Sequence, residues 1–265
     1  MEQIKKDSEY FNNLKEVKEF ITECKQTTNH YHGLKIPGNE FDNWKNDKRV
    51  ENKYAKWIIQ DSNCPSLLLN IPVPYKEMTA EAEQFLDRFV KHRGGWNPGW
   101  SSIAVHGQSA ERTQPANYYV EEGIDSEDNI APYTWTEIAK DCPVTVEWLK
   151  NTFPIKEYHR VRYMLLEPEG FIQPHSDFKE RRMAAFNVAL SNPPGVEFAL
   201  EEAGLIPWQP GEARAIDIGR NHSVLHTGTE NRIHMIIHGL WADGFERCIC
   251  ESFEDLLINI ASNNN

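Results

Sequence analysis

A chain of 265 residues with 40% hydrophobic and 26% charged residues has the make-up of a globular protein with room for a sizeable core. Its net charge of −12 and pI near 5.3 exclude nucleic acid or an anionic membrane surface as the expected main partner. No apolar run approaches the roughly 20 residues of a membrane span. The opening MEQIKKDSEYF is unlike a signal peptide, and five cysteines without a C-x-x-C pair suit a reducing compartment. A cytoplasmic protein is expected.

In chain order, Phe11, Leu14, Val17, Phe20, Ile21 and Cys24 recur at helical steps and predict an amphipathic helix over Asp7–Thr27. His30 and His32 fall in a polar loop and are expected to face solvent. Residues 33–60 show no clear period and read as irregular with short helical turns. PSLLLNIPVP (Pro65–Pro74) predicts a buried strand. Thr79 predicts the cap of a helix reaching His92, stopped by Gly94 and Gly95. Residues 93–133 are polar and irregular around a strand-like Ser102–His106, and carry Trp96, Trp100 and two tyrosines. A segment of that kind is either a functional lid or a surface insertion. Thr134 and Glu137 form a capping-box pattern, and Pro143 opens another short helix.

After Pro154 the pattern changes to period two. Val161, Tyr163 and Leu165 alternate with Arg160, Arg162 and Met164, and further strands are predicted at 171–175, 184–190, 196–200, 213–218 and 232–240. Turns such as Glu167-Pro168-Glu169-Gly170 and Asn192-Pro193-Pro194-Gly195 separate them. Cys248 and Cys250 alternate along what reads as a strand. Many short strands with helices gathered N-terminally predict a mainly β fold, a jelly roll braced by helices.

One constellation carries chemistry. His175 and Asp177 stand two apart at the end of a predicted strand, and His222 follows about 45 residues later, which is the ligand order of a 2-His-1-carboxylate iron site. The H-x-D triplet is weak alone, and its place at a strand end strengthens it. Arg232, ten residues past His222, offers a fork for a carboxylate. His226 is the competing distal histidine; His222 is preferred because it leaves room for an ordinary hairpin before Arg232. His234 and His238 share the parity of Arg232 and are candidates for the substrate side, set against a purely structural role for both. Trp100 is a third candidate there.

Residues Arg160–Asp177 (RVRYMLLEPEGFIQPHSD), Arg182–Leu190 (RMAAFNVAL) and Ala215–Trp241 (AIDIGRNHSVLHTGTENRIHMIIHGLW) resemble the aspartyl/asparaginyl β-hydroxylase family of Fe(II)- and 2-oxoglutarate-dependent dioxygenases. The resemblance covers 160–241, is loose over 96–159, and is absent for the first 60 residues. It implies a double-stranded β-helix of the cupin-like type, with His175 and His222 on iron and Arg232 on the distal carboxylate of 2-oxoglutarate. It also places Asn187 facing the co-substrate. The implied reaction uses O2, releases succinate and CO2, and puts one oxygen atom into a substrate C–H bond. One departure matters: the animal aspartyl hydroxylases have glycine where this chain has Asp177, which brings the chain nearer to the small-molecule hydroxylases of the family. Asp177 also argues against a halogenase.

The expected organisation is an N-terminal helical extension (1–60) followed by the dioxygenase domain (61–265, core 156–242). The expected substrate is a small amino-acid-like molecule, the alternative being a residue within a peptide or protein. A non-catalytic cupin-like metal protein is the other class, and it would have no use for Arg232.

Overall fold

Eight of the twelve strands among the described residues cross back and forth between two antiparallel sheets, and that crossing builds the molecule. The structure is a computed structural model and describes residues 2–38, 41, 44, 53–95, 97–114, 133–177 and 186–263. The strands are β1 (Ser66–Leu68), β2 (Val90–Lys91), β3 (Trp100–Gly107), β4 (Thr134–Trp135), β5 (Ile155–Leu166), β6 (Phe171–His175), β7 (Phe186–Ala189), β8 (Val196–Leu200), β9 (Gly204–Leu205), β10 (Ala213–Ile216), β11 (His222–His226) and β12 (Arg232–Trp241). The larger sheet runs β1-β10-β7-β12-β5-β3-β2, with β4 on β3, and the smaller runs β6-β11-β8-β9. From β5 onward the chain passes back and forth between them, apart from the β8–β9 hairpin within the smaller sheet, which is the double-stranded β-helix, or jelly roll.

Both faces of both sheets are covered. In β12, Ile233, Met235 and Ile237 join the core under the helices α2 (Lys53–Gln60), α3 (Tyr75–Glu83), α4 (Pro143–Asn151) and α5 (Phe245–Asn263). Arg232, His234, Ile236 and His238 of the same strand point into the space between the sheets. On β5 the outward Val161, Tyr163 and Leu165 meet the helices, while Arg160, Arg162 and Met164 line the interior. The remaining helix, α1 (Glu2–Cys24), lays Val17, Ile21 and Cys24 on Phe171, Ala199 and Leu225 of the smaller sheet. Each of the Val, Ile, Leu and Phe side chains among these contributes about 1.5–3 kcal/mol when fully buried. Where the β7–β8 and β11–β12 turns cross, only glycine fits. A Cβ on Gly228 would lie 2.1 Å from the Pro194 carbonyl oxygen.

Several local expectations are corrected. The helix expected over 79–92 is α3, starting at Tyr75 and ending at Glu83, and residues 90–91 pair instead with Ser101 and Ser102 as β2. Sheet pairing there overrides local helix propensity. Thr79 is no cap; its hydroxyl donates back to Tyr75 O at 2.6 Å, with Leu190 O the alternative acceptor at 3.1 Å. The strand expected across 65–74 is confined to β1. The 134–137 pattern is no capping box, because Thr134 and Trp135 are β4 and Thr136 makes no side-chain cap. Cys248 and Cys250 lie on α5, not a strand, since Phe245, Ile249 and Phe253 recur at helical spacing. Residues 53–60 are helix α2 rather than irregular. His30 is tied down by Ala203 O (2.6 Å) and Ser66 Oγ (3.0 Å). Trp96 and residues 115–132 of the 93–133 segment lie outside the described residues.

Candidate metal and co-substrate site

His175 closes β6 and His222 opens β11, and the two are cross-strand partners. Regular alternation would not put both His175 and Ile172 on the inner face. The register shifts between His222 and Val224, which pair with His175 and Ile172 respectively, so β6 carries one extra residue there. A bulge of this kind re-aims a side chain, and Pro174, which has no N–H to lose, sits within it. Two residues later the Asp177 amide donates to Ile218 O at 2.9 Å, which turns the carboxylate back toward the histidines.

The ring centroids of His175 and His222 are 4.3 Å apart. Asp177 Oδ1 is 3.5 Å from His175 Nε2 and Oδ2 is 3.9 Å from His222 Nε2. One donor atom from each of the three falls within 4.8 Å of the others, the one such group of three among the described residues. Backbone carbonyls set the tautomers. His175 Nδ1 donates to Gln173 O (2.8 Å) and His222 Nδ1 to Arg220 O (3.1 Å). Both Nε2 lone pairs are therefore free for a metal. Burial lowers the pKa of both rings, that of His222 to about 4, with His175 adding to the effect. At Asp177 burial works to raise the pKa, but Arg93, His222 and His175 outweigh it and hold the carboxyl below its usual range. Two neutral imidazoles and an ionised carboxylate, open on one side, fit Fe(II). His226 is elsewhere: it is fully buried, with Nε2 donating to Glu230 O (2.6 Å) and Nδ1 accepting from the Gly228 amide.

A cavity of about 450 Å³ opens onto these three residues. Arg232, 3% exposed, lies on its wall. Burial pushes its pKa down to about 9, Nη2 donates to His234 Nδ1 at 2.9 Å, and Nε has no partner among the described residues. No acidic side chain among the described residues pairs with this guanidinium. A buried cation left so is costly and calls for an anion, which the distal carboxylate of 2-oxoglutarate fits. Asn187, His234, His238 and Trp100 all line the same cavity.

Five polar contributors were missed in the sequence: His92, Arg93, Gln114, Arg160 and Arg162. Arg93 forms an ion pair with Asp177 Oδ1 and lies 5.7 Å from the Trp100 ring. Arg162 is 5% exposed and donates to Thr113 O (2.9 Å) and to His238 Nε2 (3.2 Å). The signal for the β5 pair was present, because charged residues alternating within an otherwise apolar buried strand must face a cavity.

A model of the aspartyl/asparaginyl beta-hydroxylase family matches residues 76–241. Comparison with curated proteins gave no match. Among solved structures, the chain is similar to a 2OG-Fe(II) oxygenase family oxidoreductase from Burkholderia pseudomallei, at 13% identity over 74% of this chain and 94% of that one, TM-score 0.37. It is similar to a Pseudomonas putida prolyl-4-hydroxylase at 13% identity over 70% and 96%, TM-score 0.38. The epimerase SnoN of nogalamycin biosynthesis aligns at 14% identity over 69% and 78%, TM-score 0.38. These likenesses are too distant to carry an argument, whereas the family match spans well over half the chain and takes in His175, Asp177, His222 and Arg232. The chain therefore belongs to the aspartyl/asparaginyl β-hydroxylase family.

Proposed function

We propose that this Fe(II)- and 2-oxoglutarate-dependent oxygenase hydroxylates a small, carboxylate-bearing, amino-acid-like substrate. In this reading His175, Asp177 and His222 hold the iron, Arg232 holds the distal carboxylate of 2-oxoglutarate, and Asn187 borders the co-substrate. With O2, iron and 2-oxoglutarate supply the oxidising chemistry, which yields succinate and CO2 and puts one oxygen atom into a C–H bond. The protein's share is orientation. The Nδ1–H bonds of His175 and His222 fix both rings, Arg232 anchors one end of the co-substrate, and the walls between the sheets exclude water.

The observation that carries the substrate reading is the cavity lining. Arg160 and Arg162 on β5 and His238 on β12 share one wall, and in the pairing Ile236 lies opposite Arg162 and His238 opposite Arg160. A guanidinium fork suits a carboxylate. A volume of about 450 Å³ suits a small molecule, and Trp100, 7% exposed, gives it an apolar side. The competing reading, an Asp or Asn residue in a peptide, is favoured by the family's description.

Free amino acids and short peptides, assayed for 2-oxoglutarate-coupled turnover with mass spectrometry for one added oxygen, separate the two. Turnover of a peptide with no free amino acid accepted would overturn our choice. We further take residues 61–265 as the oxygenase unit and 1–60 as an extension, supported by α1 packing on the outer face of the smaller sheet and α2 packing on α5. A cytoplasmic setting is supported by five free cysteines; no helix among the described residues is long and apolar enough to cross a membrane.

A further inference from the structure

His234 and His238 share a strand, a parity and a cavity, yet their ring nitrogens are used differently. His238 Nε2 lies 3.2 Å from Arg162 Nη2, which can only donate to it. His234 is tied at the other nitrogen. Arg232 Nη2 lies 2.9 Å from Nδ1, and since a guanidinium only donates, Nδ1 must accept. A neutral imidazole has one N–H, which Nε2 must therefore carry. That Nε2 is buried without a partner among the described residues, in a residue 0% exposed that lines the cavity. The Trp208 ring stands edge-on to it, with centroids 4.8 Å apart at 75°, and holds the imidazole plane. Buried donors are almost always satisfied, so a fixed one left without a partner in a cavity wall marks the place of an acceptor.

We propose that His234 is a second anchor for 2-oxoglutarate, donating Nε2–H to the carboxylate that Arg232 receives, rather than part of the substrate wall. The inference rests on the reading of the site above. Arg232 and His234 then act as one unit: the arginine fixes the tautomer of the histidine, and both present donors to the same anion. Burial, together with the neighbouring Arg232 charge, keeps the ring neutral, as this role requires.

The test is calorimetric binding of 2-oxoglutarate to the full chain loaded with Mn(II), without turnover. Binding of 2-oxobutyrate, which lacks the distal carboxylate, is measured in parallel. His234→Asn, which removes the donor at the Nε2 position, is expected to weaken 2-oxoglutarate about tenfold or more and to leave 2-oxobutyrate and Mn(II) nearly unchanged. A merely structural role would weaken both oxo acids alike, and that result, or unchanged 2-oxoglutarate affinity, overturns the proposal. His234→Gln restores a donor close to the Nε2 position and is expected to regain most of the lost affinity. Its failure to do so overturns the proposal even where the Asn variant does not fold. Absence of 2-oxoglutarate binding in the unaltered chain would instead overturn the site reading, and this inference with it.

Discussion

Arg93 reaches the Asp177 carboxylate from the turn after β2, 84 residues away in the chain, and so ties the sheet edge to the candidate metal site. Its backbone adopts a φ of +49°, unusual for a side chain with a Cβ. Two effects of this contact on metal affinity oppose each other. The guanidinium orients the carboxylate, and its charge repels a cation. With the side chain 33% exposed, water screens the charge, so orientation wins. Arg93→Gln is expected to weaken Fe(II) or Mn(II) binding about tenfold, measured by metal titration; tighter binding would show that repulsion dominates.

Which histidine is distal can be decided by comparing two variants. His222→Ala removes a donor from the three-residue cluster, and metal binding is expected to be lost. His226→Ala should keep the metal. It leaves the Glu230 carbonyl and the Gly228 amide without their partner in the β11–β12 turn, at a cost of about 1–3 kcal/mol in denaturant unfolding. The reverse pattern would make His226 the ligand.

Much of the jelly roll was legible because both sheets are covered. Strands such as β5 and β12 are apolar toward the helices and keep a period of two, and their inward polar residues stand out against that pattern. The H-x-D pair, His222 and Arg232 were legible because strand ends fix their spacing. Arg93 was not, because its meeting with Asp177 depends on the β2–β3 pairing and on a turn with left-handed backbone. The bulge at Pro174 was also hidden, although a proline just before a strand-end histidine is a usable sign. Helix α5 was overlooked for a different reason: its 3.6-residue period was present, but Cys248 and Cys250 were read at period two.

Arg232 gives a prediction in which stability and binding move apart. Replacing a buried unpaired charge with an apolar side chain of similar size is often neutral or stabilising. Arg232→Met also leaves His234 Nδ1 without its donor, at about 1–3 kcal/mol, so the two effects offset and the metal-free protein is expected to change little in denaturant unfolding. Its affinity for 2-oxoglutarate should fall by about 2–5 kcal/mol, upward of about 30-fold. Unchanged affinity would remove Arg232 from the co-substrate site.

The buried histidines set the response to acid. Burial, with neighbouring arginines, lowers the pKa of His92 to about 2 and holds His234 and His238 well below the usual value. Their unfolded value is about 6.5, so below that pH the unfolded chain binds protons that the fold refuses. The sign follows: stability is full above about pH 6.5 and is lost as pH falls toward the folded pKa values. Each such histidine steepens the loss by up to about 1.4 kcal/mol per pH unit. The lowered carboxyl of Asp177 acts only nearer its own range, at more acid pH, and does not enter this window. Denaturant unfolding of the metal-free chain at pH 7.5 and 5.5 is expected to show a large drop. In His234→Gln that drop should shrink by about 1.4 kcal/mol, the share of one histidine protonated only in the unfolded chain. An equal drop in the variant would mean that His234 is protonated as readily in the folded protein as in the unfolded one.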